Sequence, residues 1–312
     1  MPTKRSPRKG SLQFWPRKRA SKLLPRVNWD AIKGSKGLKG FICYKAGMLS
    51  CHVKDKTPNS MTKDKKIAIP ITLLECPPMR IFSVRFYKNG KVVSEILSDS
   101  IDKELKHKIK FPKKKGKNIE EIKGYDDLRV IAYSQVKKTG IKKSPDILEI
   151  GLAGSVEEKL TFVKEHLNKD ISISEVFEKG QVVDFHGLTK GKGFQGPVKR
   201  FGIQLRQHKS EKGRRRAGSI GPWHPAYVTF RVPLPGQLGM FTRVILNSKI
   251  VNIGKGEGKI KNIKNYGSIN TDYIIVYGSV QGPSKRALMA AAPLRETKKQ
   301  KKKDFEFIGL VR

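Results

Sequence analysis

Positive charge is concentrated in separate segments of this chain, and this distribution limits which parts can pack into a compact core. The 312 residues carry 66 lysines and arginines against 27 aspartates and glutamates, a formal net charge of +39. Residues 1–39 hold 12 of the basic residues against Asp30 alone, and residues 187–219 hold ten against Glu211 alone. Residues 120–185 instead hold 13 acids and ten bases. We therefore expect a near-neutral folded part with basic extensions.

Basic extensions of this kind favour a polyanionic partner. Repulsion among uncompensated charges works against a compact state, so the composition argues against an ordinary metabolic enzyme. A nucleic acid is the natural partner for so large a positive charge. The lysine run in residues 298–303 fits either a solvated or disordered tail or a further contact with the polyanion, and the sequence leaves both open. The chain length allows about two domains.

Two of the basic segments place a tryptophan beside their arginines. Phe14-Trp15-Pro16 precedes Arg17–Arg19, and Trp223-His224-Pro225 follows Arg214–Arg216. Because these segments contain no apolar core of their own, stacking on a base or docking into a nucleic-acid crevice would bury each indole. Arginine adds guanidinium stacking and two-point contacts with phosphate. We therefore expect arms that become ordered on binding.

Alternating apolar residues and turn signals predict a β-rich core. Strands are predicted at residues 67–75, 81–87, 91–97, 128–134, 181–188, 244–253 and 273–280, and a hairpin is predicted from Phe41–Tyr44 and Met48–Val53 around Ala46-Gly47. Asn89-Gly90 is the strongest hairpin-turn signal. Helices are predicted at residues 102–110 and 156–167, the second with a capping box from Ser155 and Glu158. The helix-bearing residues 80–178 are expected to form an insertion into the β-rich core.

Residues 187–235 show neither helical nor strand periodicity. A structureless segment of this length is uncommon inside a compact domain unless it is functional or bound to a partner. A hairpin-like finger with about twenty residues on each side could reach on the order of 60 Å. We expect this finger to project beyond the folded body.

The sequence offers few signals for catalysis, metal binding or membrane insertion. Cys43, Cys51 and Cys76 form no C-x-x-C pair and no disulfide framework, which indicates a reducing compartment and thiols that are buried small hydrophobes or inert at the surface. The six histidines include no pair at metal-ligand spacing. The longest stretch without acidic or basic residues, Ala217–Phe230, is shorter than the ~20 apolar residues of a membrane span. We expect a soluble intracellular protein that is not an enzyme.

The segment Gly191-Lys-Gly-Phe-Gln-Gly196 matches the G-x-G-x-x-G pattern of dinucleotide-binding loops. The residues that follow, Lys199-Arg200-Phe201-Gly202, predict no amphipathic helix, and no predicted strand carries the acidic residue Glu211. We therefore favour a turn, or a close backbone approach to phosphate with charge supplied by Lys190 and Lys192, over a nucleotide site.

Several longer motifs point to a known family. They are Gly218-Ser-Ile-Gly-Pro-Trp-His-Pro225, Pro235-Gly-Gln-Leu-Gly239 with Thr242-Arg243, Leu188-Thr-Lys-Gly-Lys-Gly-Phe-Gln-Gly-Pro197, Phe14-Trp-Pro-Arg-Lys-Arg-Ala20, Gly40-Phe41 with Tyr44-Lys-Ala-Gly-Met48, Cys76-Pro-Pro-Met-Arg80, and Gly278-Ser-Val-Gln-Gly-Pro283 with Lys285-Arg286. In this collinear set, which spans nearly the whole chain, the sequence resembles the ribosomal protein L3 family of the large subunit. The inserted region resembles the archaeal and eukaryotic form, and the short C-terminus favours the archaeal one.

The resemblance implies a fold and a function for each part of the chain. The implied fold is a β-rich α+β structure with a translation-protein-like β-barrel core. Its parts are a basic N-terminal arm at residues 1–39, the barrel at 40–79 and 179–294, the inserted α+β region at 80–178, the central finger at 187–235 and a basic tail at 295–312. The implied function is that of a structural constituent of the large ribosomal subunit, located in the cytoplasm. It would bind 23S-type rRNA and neighbouring ribosomal proteins and support early assembly, with the finger tip at Trp223 directed toward the peptidyl transferase centre. No cofactor is implied apart from structural magnesium ions of the rRNA.

The predicted rRNA-binding residues combine the basic clusters with the motifs of the resemblance. They are Lys4, Arg5, Arg8, Lys9, Trp15, Arg17, Lys18, Arg19, Lys22, Arg26, Lys190, Lys192, Lys199, Arg200, Arg206, His208, Lys209, Arg214, Arg215, Arg216, Trp223, His224, Arg243, Lys285 and Arg286. Two alternative functions remain open at this point. One is a non-specific basic nucleic-acid-binding protein, and the other is a nucleotide-cofactor-dependent RNA-modifying enzyme that uses the 191–196 loop.

Overall fold

The computed structural model of the chain describes residues 7–34, 37–112, 119–122, 124–210, 212–256, 258 and 260–311. The chain divides into two compact units. The smaller unit is formed by Met1–Lys22 with Leu188–Thr242, and the larger unit by Leu23–Gly187 with Arg243–Arg312.

Strands make up most of the regular structure of the described residues. They are β1 (Gly40–Asp55), β2 (Lys66–Glu75), β3 (Met79–Lys88), β4 (Lys91–Leu97), β5 (Asp127–Ser134), β6 (Ile147–Gly151), β7 (Val182–Leu188), β8 (Phe194–Gln195), β9 (Gly236–Gln237), β10 (Thr242–Gly254), β11 (Tyr273–Tyr277), β12 (Ala287–Ala291) and β13 (Phe305–Val311). The α-helices are α1 (Val156–His166), α2 (Pro197–Phe201) and α3 (Lys298–Lys302), and short 3-10 helices lie at Lys103–His107, Ile119–Glu121, Val136–Thr139 and Ile173–Glu175. The predicted β-rich α+β class is confirmed.

Six strands of the larger unit are joined in a closed cycle of pairings. Their order is β12, β7, β10, β11, β2 and β1, and β12 pairs with β1 as well, with Gly40 opposite Ala291. The 16 residues of β1 make this closure possible, because one edge of the strand pairs with β12 near its start and with β13 near its end. The other edge of β1 pairs with β2.

The hairpin predicted within residues 41–53 is wrong. β1 continues through Ala46-Gly47, where the register against β2 shifts between Lys45 and Gly47. Ala46 is fully buried, and a Cβ added to Gly47 would lie 2.9 Å from Cγ2 of Ile263. The two small residues therefore allow a bulge and a close approach inside one strand, although the same pair also suits a turn.

β1 contributes to both large clusters of buried side chains in the larger unit. Phe41 and Tyr44 belong to a cluster that also includes residues of β3, β5 and α1. Ala46, Cys51 and Val53 belong to a second cluster with residues of β2, β10 and β11. Full burial of a side chain such as that of Phe41 contributes about 1.5–3 kcal/mol, so this strand is a principal source of stability.

All three cysteines are buried free thiols. The Sγ atoms of Cys43 and Cys76 lie 3.3 Å apart between β1 and the end of β2. Burial raises the pKa of the Cys51 thiol to about 11. The cysteines therefore pack as small apolar residues, which is one of the two outcomes predicted from the sequence.

A four-stranded antiparallel sheet, in the order β4, β3, β5, β6, lies within the stretch predicted as an insertion. Asn89-Gly90 connects β3 to β4 with φ values of 50° and 72°, as the turn signal predicted. α1 begins at the predicted capping box, in which Glu158 N donates to Ser155 Oγ at 3.3 Å and Ser155 N donates to Glu158 Oε2 at 3.0 Å. The helix predicted at residues 102–110 is instead the 3-10 helix Lys103–His107.

Arginines of this sheet pair with acidic residues of the sheet and of the segment that follows β4. Arg85 lies between two carboxylates, with nitrogen–oxygen distances of 2.8 Å to Glu95 and 3.2 Å to Glu149. Arg80 Nη1 lies 3.0 Å from Asp102 Oδ1. Each such partly exposed pair contributes at most about 1 kcal/mol, but together the pairs neutralise the charge of this region locally.

Strands β6, β12 and β13 were not predicted. β12 closes the cycle of pairings, and β13 pairs with β1 inside the segment predicted as a basic tail, with Ser50 opposite Val311 and Asp55 opposite Phe305. The lysine run forms the short helix α3, which has no buried residue. The segment is therefore solvated at its lysines but tied to the sheet at its end.

The smaller unit contains little regular structure. β8 and β9 pair with one another, and α2 follows β8 in the chain with Gly196 as its N-cap and Pro197 at its first position. A five-residue helix thus does follow the G-x-G-x-x-G segment, contrary to the prediction. The lack of regular structure predicted for residues 187–235 is therefore wrong where β8 and α2 lie, and it holds for the described residues between Gly202 and Pro235, which contain no helix or strand.

Candidate nucleic-acid interface

The smaller unit carries positive charge that it cannot neutralise internally. Its sequence holds 19 lysines and arginines, whereas its one acidic residue is Glu211, which lies outside the described residues. This contrasts with the four-stranded sheet, where arginines and carboxylates are paired. An uncompensated basic surface of this kind favours binding to a polyanion.

The predicted RNA-binding cations of the N-terminal arm lie in different parts of the chain. Lys4 and Arg5 lie outside the described residues, and the exposed Arg26 belongs to the larger unit. The remaining lysines and arginines of the arm that stay at least partly exposed in the smaller unit are Arg8, Lys9, Arg17, Lys18, Arg19 and Lys22. Arg8 also donates from its guanidinium to the carbonyl oxygen of Arg231.

Trp15 packs within the smaller unit. Its ring stacks on Phe201 at 6.0 Å between centroids and meets the edge of Phe230 at 5.5 Å. The indole nitrogen donates to the carbonyl oxygen of Ser11 at 2.7 Å. The expectation that this tryptophan has no apolar surroundings of its own is therefore wrong, because two phenylalanines supply them. Its predicted contact with rRNA stays a prediction.

Arg17 and Arg200 exchange hydrogen bonds between the arm and α2. Arg17 Nη1 donates to the carbonyl oxygen of Arg200, and Arg200 Nη2 donates to that of Arg17, each at 3.1 Å. Arg200 also donates to the carbonyl oxygens of Gln237 at 2.9 Å and Leu234 at 3.0 Å. Burial lowers the pKa of Arg200. Both guanidiniums also lie over the ring of Phe201, at 4.2 Å for Arg17 and 5.1 Å for Arg200. These two arginines therefore hold the backbone of the unit together.

Arg206 connects the two ends of the most basic loop in the smaller unit, which spans residues 206–217. Its backbone nitrogen donates to the carbonyl oxygen of Arg214 at 3.1 Å, and its Nη2 donates to that of Ala217 at 2.8 Å. The predicted binding side chains between these contacts all remain exposed; they are His208, Lys209, Arg214, Arg215 and Arg216. The loop thus presents cations outward while one arginine fixes its ends.

The tip predicted at Trp223 is apolar and open to solvent. Trp223 is 89% exposed and Tyr227 is 71% exposed, and the neighbouring His224 is exposed as well. Exposed aromatic side chains of this size are rare in isolation because their burial is worth about 1.5–3 kcal/mol each. Stacking on a base contributes about 1–3 kcal/mol, so an unpaired base is a suitable partner for the tip.

The G-x-G-x-x-G segment forms a tight approach between its own backbone and residues near β9. Lys192 N donates to Leu238 O, and a Cβ added to Gly239 would lie 1.9 Å from Lys190 O. Only glycine fits there, and its φ of +80° requires glycine as well. The predicted cations Lys190, Lys192 and Lys199 are exposed around this approach.

The last three predicted residues, Arg243, Lys285 and Arg286, belong to the larger unit. Lys285 is exposed, whereas Arg243 and Arg286 are half-buried, and burial lowers the pKa of Arg286. The loop that precedes Lys285 is held from inside by Lys45, whose Nζ donates to Gly282 O at 3.0 Å. Gln281 Nε2 adds a bond to Arg243 O at 3.1 Å.

Sequence reasoning missed the aromatic partners of the arm. Phe201 is buried and forms the centre of the contacts with Trp15, Arg17 and Arg200. Phe230 is 67% exposed and contacts the edge of Trp15. A signal was available, because Phe201 directly follows Lys199-Arg200 and Phe230 directly precedes Arg231, and an aromatic residue beside an arginine is suited to cation–π packing.

The structure also bears on metal binding and on membrane insertion. Within the described residues, no group of three or more histidine, cysteine, aspartate or glutamate side chains could hold a metal ion. Across the same residues, no helix is long and apolar enough to pass through a membrane.

Comparison with known proteins places the chain among ribosomal proteins. The sequence model described as Ribosomal protein L3 matches residues 1–308. The chain is 39% identical over 306 residues to the large ribosomal subunit protein uL3 of Methanocaldococcus jannaschii, covering 93% of this chain and 91% of that protein. It is 37% identical over 322 residues to the uL3 of Archaeoglobus fulgidus, covering 98% and 96%. It is 40% identical over 313 residues to the uL3 of Methanothrix harundinacea, covering 95% and 93%.

The chain belongs to the ribosomal protein L3 family. The predicted family and its archaeal affinity are thereby confirmed, since these relatives are archaeal and are matched over nearly their whole length.

Proposed function

We propose that the protein is a structural constituent of the large ribosomal subunit that binds 23S-type rRNA through its smaller unit. The observation that carries this proposal is the charge of that unit, with 19 basic residues against Glu211. The exposed Trp223 adds an aromatic surface of the type that stacks on unpaired bases. Membership of the ribosomal protein L3 family supports the same partner.

The finer roles follow from the family and from the form of the unit. The segment of residues 187–235 acts as a finger that enters folded RNA, with Trp223 toward the peptidyl transferase centre. The protein supports early subunit assembly, contacts neighbouring ribosomal proteins in the cytoplasm, and works without a cofactor or catalysis of its own. The closed cycle of six strands supports a translation-protein-like barrel as the core of the larger unit.

Salt dependence of binding tests the proposal. Each neutralised phosphate adds about −0.7 to the slope of log affinity against log salt for a single strand, and about −0.9 for duplex DNA. We expect a steep slope with rRNA transcripts, tighter binding to rRNA than to duplex DNA at matched salt, and co-sedimentation with large subunits through a high-salt gradient. A flat response would refute rRNA binding, and equal affinity for both nucleic acids would favour the non-specific alternative.

A further inference from the structure

We propose that residues 255–272, here called the lysine loop, form a second RNA-binding element in the larger unit. The loop connects β10 to β11, and its sequence holds four lysines. None of its residues was predicted to bind RNA. The inference rests on the proposed function, because it assigns a further contact with the same partner.

A buried carboxylate holds the end of the lysine loop. Glu75, at the end of β2, is fully buried and accepts hydrogen bonds from Asn270 N at 2.8 Å, Thr271 N at 2.9 Å and Thr271 Oγ1 at 3.0 Å. The hydroxyl of Tyr266 donates to its second oxygen. No lysine, arginine or histidine of the described residues forms an ion pair with Glu75. A buried charge satisfied only by loop donors is costly to disturb, so it fixes the loop conformation.

Apolar side chains anchor the middle of the loop. Ile263 and Ile269 are 8% and 0% exposed and pack in the second buried cluster. Ile263 N donates to Gly267 O at 2.9 Å, and Gly267 N donates back to Ile263 O at 3.1 Å. Gly256 is needed where the loop closes, because a Cβ there would lie 2.2 Å from Thr271 O. The described residues of the loop, 255, 256, 258 and 260–272, therefore form a rigid backbone frame.

Between these anchors the loop points polar and charged residues outward. Lys261, Asn262, Lys264 and Asn265 are exposed, and both asparagines have a φ of 62°. Neither lysine forms an ion pair within the described part of the chain. The frame thus fixes the backbone positions of two exposed lysines and two exposed asparagines, whose ammonium and amide groups suit the phosphate and sugar oxygens of RNA.

The arrangement favours RNA over an acidic protein partner. Ammonium groups act as point charges that suit phosphates, whereas the exposed tip offers no apolar anchor of the type that carries protein interfaces. A fixed backbone frame also limits the backbone entropy that is lost on binding, whereas lysines on a flexible loop would lose that entropy as well.

The test measures salt slopes with the full-length protein and large-subunit rRNA transcribed in vitro. Lys261→Gln with Lys264→Gln should reduce the slope by about 1.4 to 1.8, since two phosphate contacts are lost. The affinity deficit of the variant should accordingly shrink about seven- to twelvefold between about 50 and 200 mM salt. The matched control is Lys103→Gln with Lys106→Gln, which removes two exposed lysines from a 3-10 helix and should leave the slope within its error.

Three outcomes separate the loop from the proposed function. A loop variant that behaves like the control overturns the lysine loop, and if Arg214→Gln with Arg215→Gln still lowers the slope, rRNA binding by the smaller unit stands. A flat wild-type response overturns both. Glu75→Gln should speed hydrogen exchange at the amides of Asn270 and Thr271 and weaken binding, and Tyr266→Phe, a milder change, should act in the same direction if Glu75→Gln does not fold. Faster exchange with unchanged rRNA affinity would contradict the role of the frame.

Discussion

Replacing Arg200 by lysine tests whether this arginine organises the smaller unit. Its guanidinium donates to the carbonyl oxygens of Leu234, Gln237 and Arg17 at 3.0, 2.9 and 3.1 Å. The variant keeps the positive charge, so it leaves the long-range attraction for a polyanion nearly unchanged. Any effect on local stability then reports the fork geometry, which an ammonium group cannot reproduce because its donors share one nitrogen.

The expected loss is about 2 kcal/mol of local stability. Hydrogen bonds to a charged group contribute about 1.5–3 kcal/mol each, and at least one of the three carbonyls loses its partner in the variant. Because Arg200 is half-buried, water can replace part of the hydrogen bonding that the variant loses. The expected loss of stability is therefore below the sum for several lost hydrogen bonds. A change of about 2 kcal/mol corresponds to an about 30-fold larger equilibrium constant for local opening.

Native-state hydrogen exchange measures this opening at amides that close the same unit. Ala20 N donates to Met240 O at 3.0 Å, and Leu238 N donates to Gly193 O at 2.9 Å. Both amides should exchange faster in Arg200→Lys, while amides of the larger unit keep their rates. Arg216→Lys, at an exposed position, is the control and should change neither. Unchanged exchange at Ala20 and Leu238 in Arg200→Lys would refute the organising role.

Three further predictions concern the tip, a helix cap and a buried carboxylate. Trp223→Ala should leave the melting temperature of the free protein unchanged, because the side chain is 89% exposed, and should weaken rRNA binding; melting at a lower temperature would instead identify a core residue. Ser155→Ala should cost about 1 kcal/mol by removing the capping box, seen as faster exchange at the Glu158 amide, and Thr161→Ala is a helix-surface control. Burial by itself would raise the pKa of Asp55, but hydrogen bonds from Thr57, Thr62 and Ser60 lower it to about 2. The stability this carboxylate provides is therefore present above its unfolded pKa of about 3.9 and lost as pH falls toward 2, so Thr62→Val should flatten the pH dependence of unfolding in that window.

Elements with strong local signals could be predicted from the sequence. Asn89-Gly90 fixes a two-residue turn by its own backbone preferences, and Ser155 with Glu158 caps a helix from within four residues. β12 could not be predicted in this way, because Ala287–Ala291 is alanine-rich and has low strand propensity on its own. Its conformation comes from pairing with β1 and β7, which lie far away in the sequence. β13 differs, because Phe305–Val311 contains residues that favour strands, and it was missed because it follows the lysine run in the segment predicted as a tail.

For the candidate interface, the sequence could predict where charge accumulates but not what each cation contacts. A guanidinium suits a phosphate and a cluster of backbone carbonyls equally well, since both offer oxygen acceptors. Arg17 and Arg200 could therefore not be separated from Arg214–Arg216 before their neighbours in space were known. The exposure of Trp223 agrees with the expectation that its segment has no apolar core of its own, whereas its position at a finger tip was implied by the resemblance and stays a prediction.

The internal arginines show how a unit with almost no acidic residues can fold. An ion pair would stabilise the unit but would also cancel a charge that the surface needs, whereas Arg17 and Arg200 donate to neutral carbonyls and keep their full charge. Stacking over Phe201 works in the same way. The repulsion among the remaining cations is then left for the polyanion to relieve, so RNA binding and folding of the unit are thermodynamically coupled. Added rRNA should consequently slow hydrogen exchange at Ala20 and Leu238 more than at amides of the four-stranded sheet, whose charges are already paired.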